Sequence, residues 1–133
     1  MTNPASTQAV ITEEDITRLV SEFYVRVRKD SLLGPIFSRT IENWPHHMAK
    51  LQDFWSSVML TSGRYKGQPM LAHLRHEKDM TRDNFDRWLS LWRQTSDELL
   101  APEAAAAFQD RARRIAESLR LGVEFHRERR SVA

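Results

Sequence analysis

A chain of 133 residues with no cysteine excludes disulfides, thiolate metal sites, thiol catalysis and covalent cofactor attachment through Cys-x-x-Cys-His, and its length predicts one domain that buries roughly two-thirds of its unfolded surface. The 20 basic and 18 acidic residues are interspersed and leave a formal charge of +2, which argues against a nucleic-acid-binding face. No Lys or Arg precedes Arg18, and no apolar run has the length of a signal core or a membrane span, so a cytoplasmic protein without membrane association is expected.

Few glycines and prolines and an alanine-rich last third predict an all-α fold. Residues 1–11 are expected to form a flexible N-terminus, 12–125 a single domain and 126–133 (HRERRSVA) a charged, solvated tail. Thr12 and Asp15 form a variant capping box, and acidic residues 13–15 suit the positive end of a first helix. Ile16, Leu19, Val20, Phe23, Tyr24 and Val27 share one stripe of it, so Tyr24 is an inward phenol whose hydroxyl needs a partner. The helix should stop near Asp30, and Gly34-Pro35 before Ile36-Phe37 reads as a turn.

Trp44-Pro45 opens a second long helix that runs to about Ser62, because proline costs nothing in the first turn. His47, Leu51, Phe54, Trp55, Val58 and Met59 follow its inward spacing. Gly63 and Gly67 mark a turn before a short helix begun by Pro69, in which Met70, His73 and Leu74 share a face. A charged connection, residues 75–79, leads to a third long helix capped by Thr81 or Asp83, with Phe85, Trp88, Leu89 and Trp92 inward. Pro102 starts the fourth, where Phe108, Ala112, Ile115 and Leu119 repeat and Gly122 marks its end or a fray point.

Two inward histidines, His47 and His73, invite a chemical explanation. A lone inward histidine in an all-α domain is ordinarily a satisfied core residue, and the inward aromatics make a core as readily as they line a pocket for a flat apolar group. Neutral imidazole is also an iron ligand, and a short helix bounded by turns leaves His73 free to be oriented by a backbone carbonyl. Tyr24, His47 and Trp88, from three different helices, could donate hydrogen bonds from the other side. His46 stands beside His47, and a one-residue shift would exchange them; the stripe shared with Leu51 selects His47. His76 lies at i+3 from His73, a spacing compatible with zinc, but no cysteine and no inward carboxylate on that helix accompany it.

Phe23-Tyr24, Leu33-Gly34-Pro35-Ile36-Phe37, Trp44-x-x-His47, Asp53-Phe54-Trp55, Ser62-Gly63-Arg64-Tyr65-x-Gly67-x-Pro69, His73-Leu74 and Phe85-x-x-Trp88-Leu89 occur in that order. Together they resemble the third group of truncated haemoglobins, over roughly residues 12 to 122. The glycine pairs usual in the first two groups are absent, in agreement with the third. The resemblance implies a two-over-two helical sandwich, a shortened globin fold, enclosing one noncovalent b-type haem. It implies His73 as proximal iron ligand, Tyr24, His47 and Trp88 as distal residues and Phe37 packed on the haem face. Leu51, Phe54, Met70 and Leu89 are expected as apolar walls by their spacing from those positions, and Arg64, Tyr65 and Arg75 as propionate partners. The charged run 75–79 departs from the apolar residues and proline of relatives.

The function expected is binding of dioxygen or another diatomic gas, such as CO or NO, at five-coordinate haem iron, with a polar distal pocket that slows release. The alternative is a haem enzyme for peroxide reduction or nitric oxide detoxification, drawing electrons from an external reductase. A cofactor-free helical module whose aromatics merely pack is the third possibility.

Overall fold

The computed structural model describes residues 10–132, with side chains through residue 129; most of the N-terminal stretch expected to be flexible, residues 1–9, lies outside the described residues. In chain order it comprises α1 (Glu13–Lys29), α2 (Leu33–Thr40), α3 (Trp44–Leu60), α4 (Pro69–Leu74), a 3-10 turn (Glu77–Asp79), α5 (Arg82–Leu99) and α6 (Pro102–Val132), and there is no strand among the described residues. None of these helices is long and apolar enough to cross a membrane.

Local chemistry accounts for where the helices begin. Thr12 Oγ1 accepts from the Asp15 amide at 3.1 Å while the Thr12 amide donates to Asp15 Oδ2 at 3.1 Å, a reciprocal box that satisfies two otherwise unpaired donors. Asn43 caps α3 by accepting from the His46 amide at 3.1 Å, and Thr81 caps α5 through the Asn84 amide at 3.2 Å. The chain leaves α3 through Thr61, a non-glycine residue in the left-handed region at φ 56°.

Two expectations about helix limits need correction. Gly34-Pro35 is not a turn but part of the first turn of α2, where proline removes no intrahelical bond. Asp30 makes that start possible: its Oδ2 accepts from the Leu32 and Leu33 amides at 3.1 and 3.0 Å. Its Oδ1 binds Arg87 of α5 at 2.6 Å. Burial pushes the Asp30 carboxyl up, but Arg87 and the two amides outweigh it and hold the group below its ordinary value. Gly34 is needed because a β-carbon there would lie 2.8 Å from the Arg28 carbonyl oxygen, where α2 crosses closely over α1.

The second correction concerns Gly122, which does not end α6; the helix continues to Val132 and includes most of the expected tail. A glycine inside a helix costs about 1 kcal/mol relative to alanine. Here the missing side chain makes room for α4, since a β-carbon on Gly122 would fall on the Met70 thioether.

The helices assemble as two pairs, α1 with α3 and α5 with α6, joined through the α1–α5 contact, with α2 on α1 and α4 on α6. The predicted α1 stripe is buried in full, from Ile16 to Val27. It meets an aromatic centre in which Trp92 stacks between Trp55 and Trp88, with ring centroids 4.4 and 5.4 Å apart, and Phe23 stands edge-on to Trp92 at 4.8 Å. Trp92 is fully buried, and its indole N–H donates to the Phe108 carbonyl at 3.2 Å, tying α5 to α6.

Candidate functional site

The helix pairs do not close on each other everywhere. Between them lies a largely apolar cavity of about 320 Å³. The aromatics left undivided by sequence separate here into two sets: Phe23, Trp92 and Phe108 stay in the core, whereas Tyr24, Phe37, Phe54 and Trp88 face the cavity and Trp55 serves both. Of the residues singled out from the sequence, Tyr24, Phe37, His47, Leu51, Phe54, Tyr65, His73 and Trp88 line it.

Met70, Leu89, Arg64 and Arg75 are not among the lining residues. Met70 is turned onto Gly122 of α6. Leu89 borders a separate surface groove with Arg93 and Gln109. Arg64 is ion-paired with Glu13 at 3.1 Å, and Arg75 is exposed.

Other lining residues were not foreseen in this role. Ile115, Ala116 and Leu119 of α6 complete the wall; two of them stood on the predicted α6 stripe, yet no spacing says that a stripe ends on a void. Lys50, exposed and one helical turn after His47, is the lysine or arginine of the lining, which also includes Tyr65.

His73 sits on α4, which carries no fully buried residue. Its Nδ1 lies 2.6 Å from the Pro69 carbonyl oxygen. A carbonyl only accepts, so Nδ1 carries the proton and Nε2 keeps its lone pair. Pro69 begins the helix and His73 follows it by one turn, so the ring is oriented by its own helix.

Tyr24, also in the lining, is edge-on to Phe37 at 5.8 Å and to His47 at 6.0 Å between centroids. His47 is also edge-on to Trp44 at 5.9 Å, and the Arg28 guanidinium covers the Trp44 ring at 4.3 Å. His46, the competing candidate, is exposed. His47 Nε2 is buried without a hydrogen-bond partner, and it is the one such side-chain nitrogen or oxygen among the described residues. Burial, followed by the charges of Lys50, His46 and His73, lowers the His47 pKa, so the ring is neutral at pH 7. Burial also pushes the Tyr24 phenol far up, against a weaker opposing effect of the Trp88 indole N–H. Tyr24 therefore keeps its proton and remains a donor.

The lining thus brings together an oriented imidazole with a free lone pair, a phenol, an indole and a second, neutral imidazole. A family model described as bacterial-like globin matches residues 8–120. The chain belongs to that family. Within it the chain stands with the group III truncated haemoglobins. It is 36% identical over 110 residues to the group 3 truncated haemoglobin ctb of Campylobacter jejuni, covering 80% of this chain and 86% of that protein. It superposes on the crystal structure of a group III truncated haemoglobin from the same organism with a TM-score of 0.78 at 33% identity, covering 86% of this chain and 92% of the other.

Membership implies a haem cofactor and diatomic gas ligands, and the residues of this globin fit them. The cavity is lined by flat and branched apolar side chains, His73 presents a lone pair, and the unpartnered His47 Nε2 is a polar atom whose desolvation would cost about 1–3 kcal/mol with nothing beside it.

Proposed function

We propose that this globin holds one noncovalent b-type haem with His73 Nε2 as the iron's sole protein ligand. It then binds dioxygen, or CO or NO, in the space bounded by Tyr24, His47 and Trp88. The observation that carries this reading is the His73–Pro69 contact of 2.6 Å, which fixes the tautomer a metal ligand requires. When bound, the haem would supply a ferrous iron able to take up a diatomic gas.

The chain's own groups set how long a gas stays. Tyr24 donates from a hydroxyl that burial keeps protonated. Trp88 donates from its indole N–H, and both rings are held by the Phe23 edge contacts at 4.9 and 5.3 Å. His47, neutral and unpartnered at Nε2, is a third polar neighbour or a gate. Lys50 and Tyr65 at the rim are the better propionate partners, in place of Arg64 and Arg75.

Each neutral hydrogen bond to the ligand contributes on the order of 1 kcal/mol. Tyr24→Phe keeps the ring contacts and deletes the donor, so oxygen dissociation measured by stopped flow should be about fivefold faster with little change in melting temperature. An unchanged off-rate would reduce Tyr24 to a core phenol.

The unpartnered His47 nitrogen also favours a second reading, as a proton acceptor for a hydrogen peroxide molecule in the distal space. Peroxide turnover with an outside electron donor, or nitric oxide detoxification with a reductase, would use the same pocket. Turnover by the purified holoprotein no greater than that of free haem would remove this enzymatic alternative.

A further inference from the structure

The segment that follows His73 is held from three sides. Arg127, near the end of α6, donates through Nη2 to the Glu77 carbonyl and to the Met80 carbonyl at 3.3 Å, and its Nε stands 3.5 Å from Glu77 Oε2. Arg39 of α2 reaches Asp79 Oδ1 at 2.6 Å. Asn84 of α5 donates its side-chain amide to the Asp79 carbonyl at 2.7 Å. Within the segment, the His76 amide donates to the His73 carbonyl at 2.9 Å, so the turn begins on the backbone of the candidate ligand itself. Met80 and Asp79 line the cavity. A few residues earlier, Met70 rests on Gly122.

A charged run with no packed apolar side chain has little to fix its position except these hydrogen bonds. None of the residues of α4 or of the 3-10 turn is fully buried, so beyond the Met70–Gly122 contact the usual means of immobilising a helix is weak here. Arg127 supplies a substitute, because a guanidinium presents several donors in one rigid plane and can bind two carbonyls at once.

We propose that Arg127 is a positioning residue for the proximal side: by clamping the Glu77 and Met80 carbonyls to α6, it fixes α4 and thereby the direction of His73 Nε2 toward the iron. The proposal rests on His73 being the iron ligand. It assigns a role to the part of α6 beyond residue 120, where the family match ends.

The test compares haem-loaded Arg127→Ala and Arg127→Lys with a control, Val123→Ala, which removes buried volume from the same helix without touching those carbonyls. Two quantities are read: the iron–histidine stretching band of the ferrous protein by resonance Raman, and the rate of haem transfer to an excess of acceptor apoprotein. Arg127→Ala should shift the band to lower frequency and speed haem loss about 3- to 10-fold. Arg127→Lys should recover part of both, and Val123→Ala should leave the band in place however much it lowers the melting temperature. A band unmoved by Arg127→Ala, or moved equally by Val123→Ala, overturns the proposal.

A His73→Gly background supplied with free imidazole separates the two layers of inference. There the iron's axial ligand is detached from α4, so adding Arg127→Ala should no longer shift the band; a persistent shift also overturns the clamp. Should His73→Gly alone leave the band of the unmodified protein intact, the assignment of His73 fails independently of Arg127.

Discussion

Replacing His73 by glycine should abolish stable haem retention while sparing the helices. The imidazole is oriented by a single contact to the Pro69 carbonyl, and α4 contributes no fully buried residue. Its loss therefore removes the proposed metal ligand without opening the core. Removing outer partners of a metal ligand typically costs 10- to 100-fold in affinity, and removing the ligand itself should weaken haem retention by more than about 100-fold. Transfer to an acceptor apoprotein measures that loss, and added imidazole should restore part of the spectrum. Far-ultraviolet circular dichroism of the variant should match that of the haem-free unsubstituted protein. Unchanged retention would place the iron ligand elsewhere.

Trp92→Ala should do the reverse, weakening the fold first. Trp92 is fully buried, stacked on two tryptophans and hydrogen-bonded to Phe108. Truncating such a residue to alanine costs about 3–5 kcal/mol, from lost transfer energy together with the cavity left behind. Urea unfolding of the haem-free protein should show that loss as a lower midpoint. Because Trp92 also backs the Trp88 ring, ligand release should become faster in whatever fraction still folds. A stability loss below about 1 kcal/mol would mean that the stack relaxes around the gap and that Trp92 is not central to the core.

The contrast between these substitutions shows how sequence and structure divide the information. The α1 stripe, the caps at Thr12 and Thr81 and the helix starts at Pro45, Pro69 and Pro102 were legible because each depends on neighbours within one or two turns. The facing of His47 rather than His46 into the cavity followed from the same periodicity. Residues whose place depends on a second helix were not legible in this way. Met70 shares a face with His73 in sequence, yet it turns onto Gly122 because α6 passes there without a side chain. Gly34-Pro35 looked like a turn although the Asp30 carboxylate that accepts from the Leu32 and Leu33 amides is a local signal; only Arg87, which binds it, comes from another helix. Arg64 had no sequence mark of its pairing with Glu13. The charged run after His73 departs from its relatives' pattern and reads as exposed linker in sequence. In three dimensions it is tied to α2, α5 and α6 by Arg39, Asn84 and Arg127.

The central claim is that the cavity between the helix pairs holds a haem whose iron is bound by His73 alone and whose open side faces Tyr24, His47 and Trp88. The absorption spectrum of the purified, haem-supplied protein tests it most directly, recorded oxidised, reduced and reduced under carbon monoxide. A Soret band at one haem per chain, a five-coordinate ferrous form and a sharp shift on adding carbon monoxide are the predicted result. No Soret band after haem is supplied would contradict the account and leave a helical module whose aromatics only pack.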